Sequence, residues 1–267
     1  MPVSAVLLGC MLMAPAAISP APLAPPKTPE GMPQCKAPLA WGTDLPRSPG
    51  ETIRYVIDVN GLSVGTVDFR IERRGLYEGK PVTEYRSVFK IDQLVGVLMP
   101  MDGRAASIVP DTALVPMAAM SKYRVDKTEL EENQTFGEDG RSVIAKRKRN
   151  GKESVAQREF PMQVRDFVSS FYLLRTLPAG AQGCAIIYGN QRAYTVWLKL
   201  EGDDKVKTPV GLRPATRYSV LYASEKGKKP IAARVWLGQD KARLPYRAEI
   251  EDKTRLEARI HLYETGS

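Results

Sequence analysis

With 267 residues and an apolar fraction of 43%, the chain has the composition of a globular protein and not of a disordered one. No run of about 18 or more uninterrupted apolar residues occurs, so the sequence predicts no transmembrane helix. The net charge of +9 at pH 7 favours anionic partners wherever the basic residues cluster on one surface.

The N-terminal segment resembles a secretory signal peptide. Val3–Met13 is apolar but too short to span a bilayer, and Ala14-Pro15-Ala16 resembles an A-x-A cleavage site. No Lys or Arg precedes the apolar region, so either the start codon has been placed too late or the signal peptide is atypical. Cys10 ends a lipobox-like Leu-Leu-Gly-Cys sequence, and its lipidation is the alternative to plain cleavage. We expect residues 1–16 to direct export to the periplasm or the periplasmic face of the outer membrane of a Gram-negative bacterium.

Residues 17–50 are predicted to form a Pro-rich tether. Ten of the 21 prolines lie between Pro15 and Pro49, a composition typical of an extended segment without its own core. Once Cys10 is cleaved off or acylated, Cys35 and Cys184 remain. An even number of cysteines in an oxidising compartment predicts a disulfide, and two separate buried thiols are the alternative.

Residues 51–265 are predicted to form a single β-rich domain. Apolar residues alternate with polar ones over most of its length, for example from Ile53 to Val59 and from Leu256 to Leu262, as in half-buried strands. The turn signals between the strands are Asn60-Gly61, Gly79-Lys80-Pro81, Glu138-Asp139-Gly140, Asn150-Gly151 and Gly202-Asp203-Asp204.

One apolar segment, Leu94–Met101, lacks this alternation. If it is buried, it forms a kinked core strand; if it is exposed, it is a methionine-containing loop that adapts to apolar partners. We expect partial burial, because contiguous exposed apolar patches are uncommon on soluble monomers. Leu98, Met99 and Met101 are therefore candidate ligand-contacting residues, and Met117 and Met120 are expected to line the same region.

A basic cluster lies between Arg141 and Arg158, with seven basic residues and one acid, Glu153. Turn signals on both sides place it at the tip of a hairpin. It either solvates a strand or binds an anionic partner, such as a lipid headgroup or lipopolysaccharide in an exported protein. The candidate residues for such a partner are Lys146, Arg147, Lys148 and Arg149.

Asp166–Pro178 is the one segment that predicts an amphipathic helix. Its first residue can accept hydrogen bonds from first-turn amides, and its charge suits the N-terminal end of the helix dipole. Apolar residues follow at helical spacing, and a Pro and a Gly end the segment. Phe167, Phe171 and Leu174 are the candidate residues for a ligand cavity or its lid.

About a dozen strands with hairpin-length connections predict a mainly β fold, a strongly curved antiparallel sheet or open half-barrel. The single helix would then cover the open face of the sheet.

Several sequence blocks together resemble a bacterial exported family known as a domain of unknown function, DUF3108. The blocks are Asn60–Gly65, the helical segment, Val206–Gly211 and Trp236–Pro245. The resemblance extends from Glu51 to Tyr263. It implies an exported, mostly β domain similar to the half-barrel of envelope lipoprotein carriers, with no established catalytic residues.

The sequence contains no recognisable catalytic or metal-binding constellation. His261, its one histidine, shares the charged face of the last strand, and no nucleophile motif accompanies it. Spacings typical of zinc sites and glycine-rich phosphate loops are missing from the sequence. Carboxylate pairs such as Glu249 and Glu251 stand beside basic residues, which favours surface ion pairs over a glycosidase site. We therefore expect a protein that is not an enzyme and needs neither a cofactor nor a metal.

Two function classes remain. The first is an envelope protein that binds a hydrophobic or lipid-like ligand in a β cradle under the helix. The second is an assembly or scaffold protein of the envelope that acts through protein-protein contacts. We expect no nucleic-acid partner, because the chain is exported and lacks a stacking-aromatic motif. Any membrane association is expected through the N-terminus.

Overall fold

The structure, a computed structural model, describes residues 30–35, 37–91, 101–227, 229–251 and 255–266. The predicted signal peptide, Cys10, the first part of the tether, Leu98 and Met99 lie outside the described residues. Within the described ranges, no helix is both long enough and apolar enough to cross a membrane.

The described residues form fifteen strands and one helix, α1 (Phe167–Leu174). The strands are β1 (Thr52–Val59), β2 (Leu62–Tyr77), β3 (Lys80–Ile91), β4 (Met101–Pro110), β5 (Ala118–Val125), β6 (Thr128–Phe136), β7 (Ser142–Arg149), β8 (Lys152–Glu159), β9 (Val164–Arg165), β10 (Gly183–Gly189), β11 (Arg192–Thr208), β12 (Gly211–Ser224), β13 (Ile231–Gly238), β14 (Pro245–Glu251) and β15 (Arg255–Glu264).

All fifteen strands belong to one sheet with two arms. The first arm runs from β1 through successive hairpins to β8, and the second runs from β15 back to β9; β1 and β15 pair at the centre. Every pair is antiparallel except β9 with β10. The helix packs against β3 and β4 of one arm and β10 of the other, so the sheet curves around it. The prediction of a curved antiparallel sheet with one helix is confirmed.

Most of the predicted hairpins form, and their turns explain why. Asn60-Gly61, Glu78-Gly79 and Asn150-Gly151 each place two successive residues at positive φ, the type I′ geometry that matches the twist of the flanking strands. The turn expected at Gly79-Lys80-Pro81 lies one residue earlier than predicted.

The prediction of a turn at Gly202-Asp203-Asp204 is wrong, because β11 continues through these residues. A register shift between Leu200 and Gly202 marks a bulge in the strand. Asp204 accepts a hydrogen bond from Trp236 Nε1 on β13 (2.9 Å) and pairs with Arg217 on the adjacent β12 (3.2 Å). These contacts hold the acidic residues within the sheet.

Helix α1 ends at Leu174, about one turn earlier than the sequence pattern predicts. The carbonyl groups of the next two residues accept hydrogen bonds from other parts of the fold. The Arg175 carbonyl accepts a hydrogen bond from Arg243 Nε (3.1 Å), and the Thr176 carbonyl accepts one from the Gly42 amide (3.0 Å). These tertiary bonds hold the turn that follows the helix.

The far ends of the two arms meet. Arg158 on β8 forms a two-point ion pair with Glu225, which follows β12, at 3.1 and 2.6 Å. Gln191, in the turn between β10 and β11, donates from Nε2 to the carbonyls of Ala145 (3.1 Å) and Ser154 (3.2 Å). The outer strands of the first arm therefore pack against the β10–β11 hairpin of the second.

Cys35 and Cys184 are joined in a disulfide, as expected. Beside it, the Cys184 amide donates to the Ala37 carbonyl (2.9 Å), and the Leu39 amide donates to the Cys184 carbonyl (2.8 Å). Residues 37–39 of the tether are thus fixed along the start of β10.

Candidate functional site

A cavity of about 510 Å³ lies beside the first turn of α1, between the two arms of the sheet. Its floor is a row of small residues. Ser87 on β3, Ala105 on β4 and Ser121 on β5 stand directly opposite one another in the antiparallel registers. Small side chains on one face of a sheet leave a volume that their larger neighbours do not fill. The cavity therefore arises from residue size at three aligned positions.

The next row on the same face is aromatic. Phe89 and Tyr123 stand opposite Gly103 on either side, and their ring centroids are 6.4 Å apart. A Cβ atom on Gly103 would clash with Tyr123 and lie 2.8 Å from the Phe89 ring. Glycine at this position lets the two rings approach and form one apolar wall.

The opposite wall comes from α1 and the β10–β11 hairpin. The Phe167 ring lies against the Gly189 backbone, where an added Cβ would come within 2.5 Å of the ring. The same ring meets Tyr194 edge to face, with centroids 5.3 Å apart. Phe167 remains 51% exposed, so it lies at the mouth of the cavity.

Two of the predicted cavity residues line this space. Phe167 forms part of the helix wall, and Met101 lies at the start of β4; Met120 also lines the cavity. Leu98 and Met99 fall outside the described residues.

The other two predicted cavity residues pack into the core. Phe171 stacks on Phe69 with ring centroids 3.6 Å apart and an interplanar angle of 6°. Leu174 packs against a cluster that includes Leu39 and Tyr218. These residues lie one and two turns beyond Phe167 along the helix, where its apolar face meets the packed centre of the sheet.

Asp166 fixes the N-terminal end of α1 at the edge of the cavity. Its Oδ1 accepts hydrogen bonds from the amides of Val168 (2.7 Å) and Ser169 (3.1 Å). Its Oδ2 accepts hydrogen bonds at 2.6 Å from the hydroxyls of Ser169 and Ser107. Burial raises the pKa of Asp166, and these hydrogen bonds oppose the shift. Because both oxygens are engaged, this carboxyl anchors the helix to β4.

The buried end of the cavity is polar. Gln134 on β6 lines it and donates from Nε2 to Glu132 Oε1 at 2.6 Å. Burial raises the pKa of Glu132, while Gln134, Arg147 and the backbone of Gln191 and Asn190 oppose the shift. Tyr188 on β10 and Asn190 in the following turn also line this end.

The sequence interpretation missed both the small-residue floor and the polar end. One signal was present in the strand that contains Tyr85, Ser87 and Phe89, where a small residue occupies an inward position between two aromatic ones. Similar residues on adjacent strands could have identified the floor once their registers were known.

The basic cluster does not form one surface. The four candidate residues stand at the end of β7. Because side chains alternate along a strand, Lys146 and Lys148 lie on one face of the sheet, and Arg147 and Arg149 lie on the other. Arg147 donates to the Asn190 carbonyl at 3.4 Å and stands opposite the buried Glu132. Its charge therefore belongs to the polar end of the cavity.

The residues considered for catalysis are dispersed. His261 is exposed on β15. Glu249 is 8% exposed and pairs with Arg247 (2.7 Å) and Arg255 (2.8 Å), so ion pairing accounts for its position. Among the residues that the structure describes, no group of three His, Cys, Asp or Glu side chains is placed to hold a metal ion.

Two solved structures resemble this chain at low sequence identity and low TM-score. One, from Bacteroides fragilis, is provisionally described as an exported protein with a YmcC-like fold; it is 9% identical, with a TM-score of 0.39, over 83% of this chain and 98% of that one. The other, from Parabacteroides distasonis, is provisionally described as a lipoprotein; it is 8% identical, with a TM-score of 0.38, over 84% of this chain and 99% of that one.

No curated protein matches the chain significantly. The profile of one sequence family matches residues 54–254, which include the cavity and its helix. The chain therefore belongs to the family described as "Protein of unknown function (DUF3108)".

Proposed function

We propose that this is an exported protein of the cell envelope that binds a hydrophobic or lipid-like ligand in the cavity beside α1. The observation that carries the proposal is the cavity itself. Its volume of about 510 Å³ lies within the range of about 300–1,000 Å³ that is typical of small-molecule sites.

The chemistry of the walls supports an apolar ligand. Phe89, Tyr123 and Phe167 offer aromatic faces, and the flexible thioether of Met101 can adapt to an alkyl chain. Asp166 also borders the space, but its oxygens are engaged in hydrogen bonds to Ser107 and the helix. Most of the surface that a ligand would meet is therefore apolar.

Two features support export as part of the proposal. Residues 1–16 have the pattern of a signal peptide, and the Cys35–Cys184 disulfide suits an oxidising compartment. The periplasm, or the periplasmic face of the outer membrane, is the compartment that we propose.

A cavity-filling substitution tests the binding function. We expect N-phenyl-1-naphthylamine, an apolar fluorescent probe, to bind the purified protein saturably. Ala105→Phe places a ring on the cavity floor and should weaken binding by more than about tenfold, or about 1.4 kcal/mol. Fluorescence titration measures both affinities.

Ala179→Phe is the matched control, because Ala179 is exposed in the turn behind α1 and does not line the cavity. It should bind the probe as the unsubstituted protein does. Equal affinities for all three proteins, or no saturable binding by the unsubstituted protein, would contradict the proposal. The second of these results is the one expected for an envelope scaffold protein.

A further inference from the structure

Three polar side chains at the buried end of the cavity each have one buried atom without a hydrogen-bond partner in the described part of the chain. The atoms are Gln134 Oε1, Tyr188 Oη and Asn190 Oδ1. Gln134 is 6% exposed and Tyr188 is 0% exposed. An unpartnered buried polar group destabilises the folded state, and native folds contain few of them. Three at one end of one cavity indicate a binding site for a polar group.

The identity of these atoms restricts that group. An amide oxygen accepts hydrogen bonds and cannot donate one. The amide nitrogen of Gln134 already donates to Glu132, which assigns the unpartnered position to Oε1. A phenol hydroxyl can donate or accept. A complementary ligand must therefore bring at least one O–H or N–H donor for the oxygens of Gln134 and Asn190.

The surrounding charges favour an uncharged donor. The carboxyls of Glu132 and Asp166 stand at this part of the cavity, which disfavours an anionic group. The Arg147 guanidinium lies against the Asn190 carbonyl and opposite Glu132, which disfavours an added cation. Burying any further charge without a new partner would also be unfavourable, because the ion would lose its hydration.

The gradient of burial orients the ligand. The polar atoms of Gln134 and Tyr188 lie at the buried end, whereas Phe89, Met101 and Tyr123 are half-buried. An amphiphile would therefore enter with its polar group first and leave its apolar chain along the aromatic wall.

We infer that the cavity selects an amphiphile with an uncharged, hydrogen-bond-donating head group, a hydroxyl or an amide N–H, held by Gln134, Tyr188 and Asn190. This inference rests on the proposed function, since it names the class of lipid-like ligand that the same cavity accepts.

Competition among four straight-chain ligands of ten or eleven carbons tests the head group. N-phenyl-1-naphthylamine is first bound to the full chain. The experiment then measures the concentration of 1-decanol, decyl methyl ether, decanoate or decylammonium that displaces this probe. One hydrogen bond contributes about 1 kcal/mol, so 1-decanol should displace the probe at about fivefold lower concentration than the ether. Both ions should be weaker competitors than 1-decanol.

A glycine substitution tests the location. Asn190 occupies a turn position with φ 55°, which glycine adopts readily, so Asn190→Gly removes the amide oxygen without backbone strain. The preference for 1-decanol over the ether should fall from about fivefold towards equal displacement. Asn150→Gly is the matched control, since Asn150 holds the equivalent turn position (φ 47°) between β7 and β8, outside the cavity. It should retain the preference.

The possible results distinguish the proposed binding function from the inference about the head group. Equal displacement by 1-decanol and the ether, as expected if water alone fills the polar end, overturns the head-group inference and leaves the binding function standing. An ion that competes best, or a preference that survives Asn190→Gly, also overturns the inference. Failure of the probe to bind, or of every ligand to displace it, overturns both claims.

Discussion

Replacing Arg175 with Met is expected to lower the free energy of unfolding by about 3–5 kcal/mol. Arg175 follows α1 and forms a two-point ion pair with Glu51, which precedes β1, at 2.5 and 3.0 Å. The side chains are 4% and 6% exposed. Removing the cation would leave the Glu51 carboxylate buried without its partner.

The neighbours of this pair explain its importance to the fold. Arg175 Nε donates to the Ala242 carbonyl at 3.0 Å, and the Tyr263 hydroxyl lies 3.4 Å from Glu51 Oε2. The pair therefore connects the end of α1 to β1, β15 and the segment before β14. Its loss would release the C-terminal end of the helix from the sheet.

Urea unfolding and thermal melting measure this effect. For a domain of this size, a loss of about 4 kcal/mol corresponds to a fall in Tm of roughly 8–16 °C. The double variant Glu51→Gln/Arg175→Met removes both charges and should be more stable than the sum of the two single losses predicts.

Arg124→Met is the control, because Arg124 and Asp102 form an exposed pair in which the side chains are 60% and 52% exposed. Its effect should stay within about 0.5 kcal/mol. Equal effects of Arg175→Met and Arg124→Met would show that the buried pair does not anchor the helix.

Replacing Cys35 with Ser is expected to lower the free energy of unfolding by about 3–5 kcal/mol. The disulfide joins residues 149 positions apart. A loop of that length gives about 5 kcal/mol from chain entropy, and measured values are commonly smaller. We choose Cys35 because Cys184 is only 1% exposed, and a serine there would add the cost of a buried hydroxyl.

Urea unfolding with and without dithiothreitol checks this prediction. The reductant should lower the midpoint of the unsubstituted protein to that of Cys35→Ser and leave the variant unchanged. A midpoint of the unsubstituted protein that does not respond to full reduction would rule out a stabilising disulfide.

Much of the fold follows from local patterns. Alternation predicts the strands, and Asn60-Gly61 and Asn150-Gly151 predict turns because glycine and asparagine tolerate positive φ. The β10–β11 turn was missed because Asn190-Gln191 contains no glycine, although both residues have positive φ. At Gly202 a glycine marks a bulge and not a turn, because the contacts that decide between the two come from neighbouring strands.

The candidate site was harder to predict because it depends on register. Ser87, Ala105 and Ser121 form one floor only because three strands align them. A strand pattern also cannot distinguish a polar residue that faces a cavity from one that faces solvent, so nothing in the sequence marked Gln134. The helix residue Phe167 was identified because apolar periodicity and a visible N-cap marked it.

Native mass spectrometry of the protein, purified without detergent from an exporting bacterium, is the most direct test for a ligand in the cavity beside α1. We expect a population that carries one non-covalent molecule of lipid-like mass, which collisional activation releases and which the Ala105→Phe variant lacks. A bare protein mass for the unsubstituted chain, or a bound molecule that the variant retains, would contradict a ligand held in the cavity beside α1.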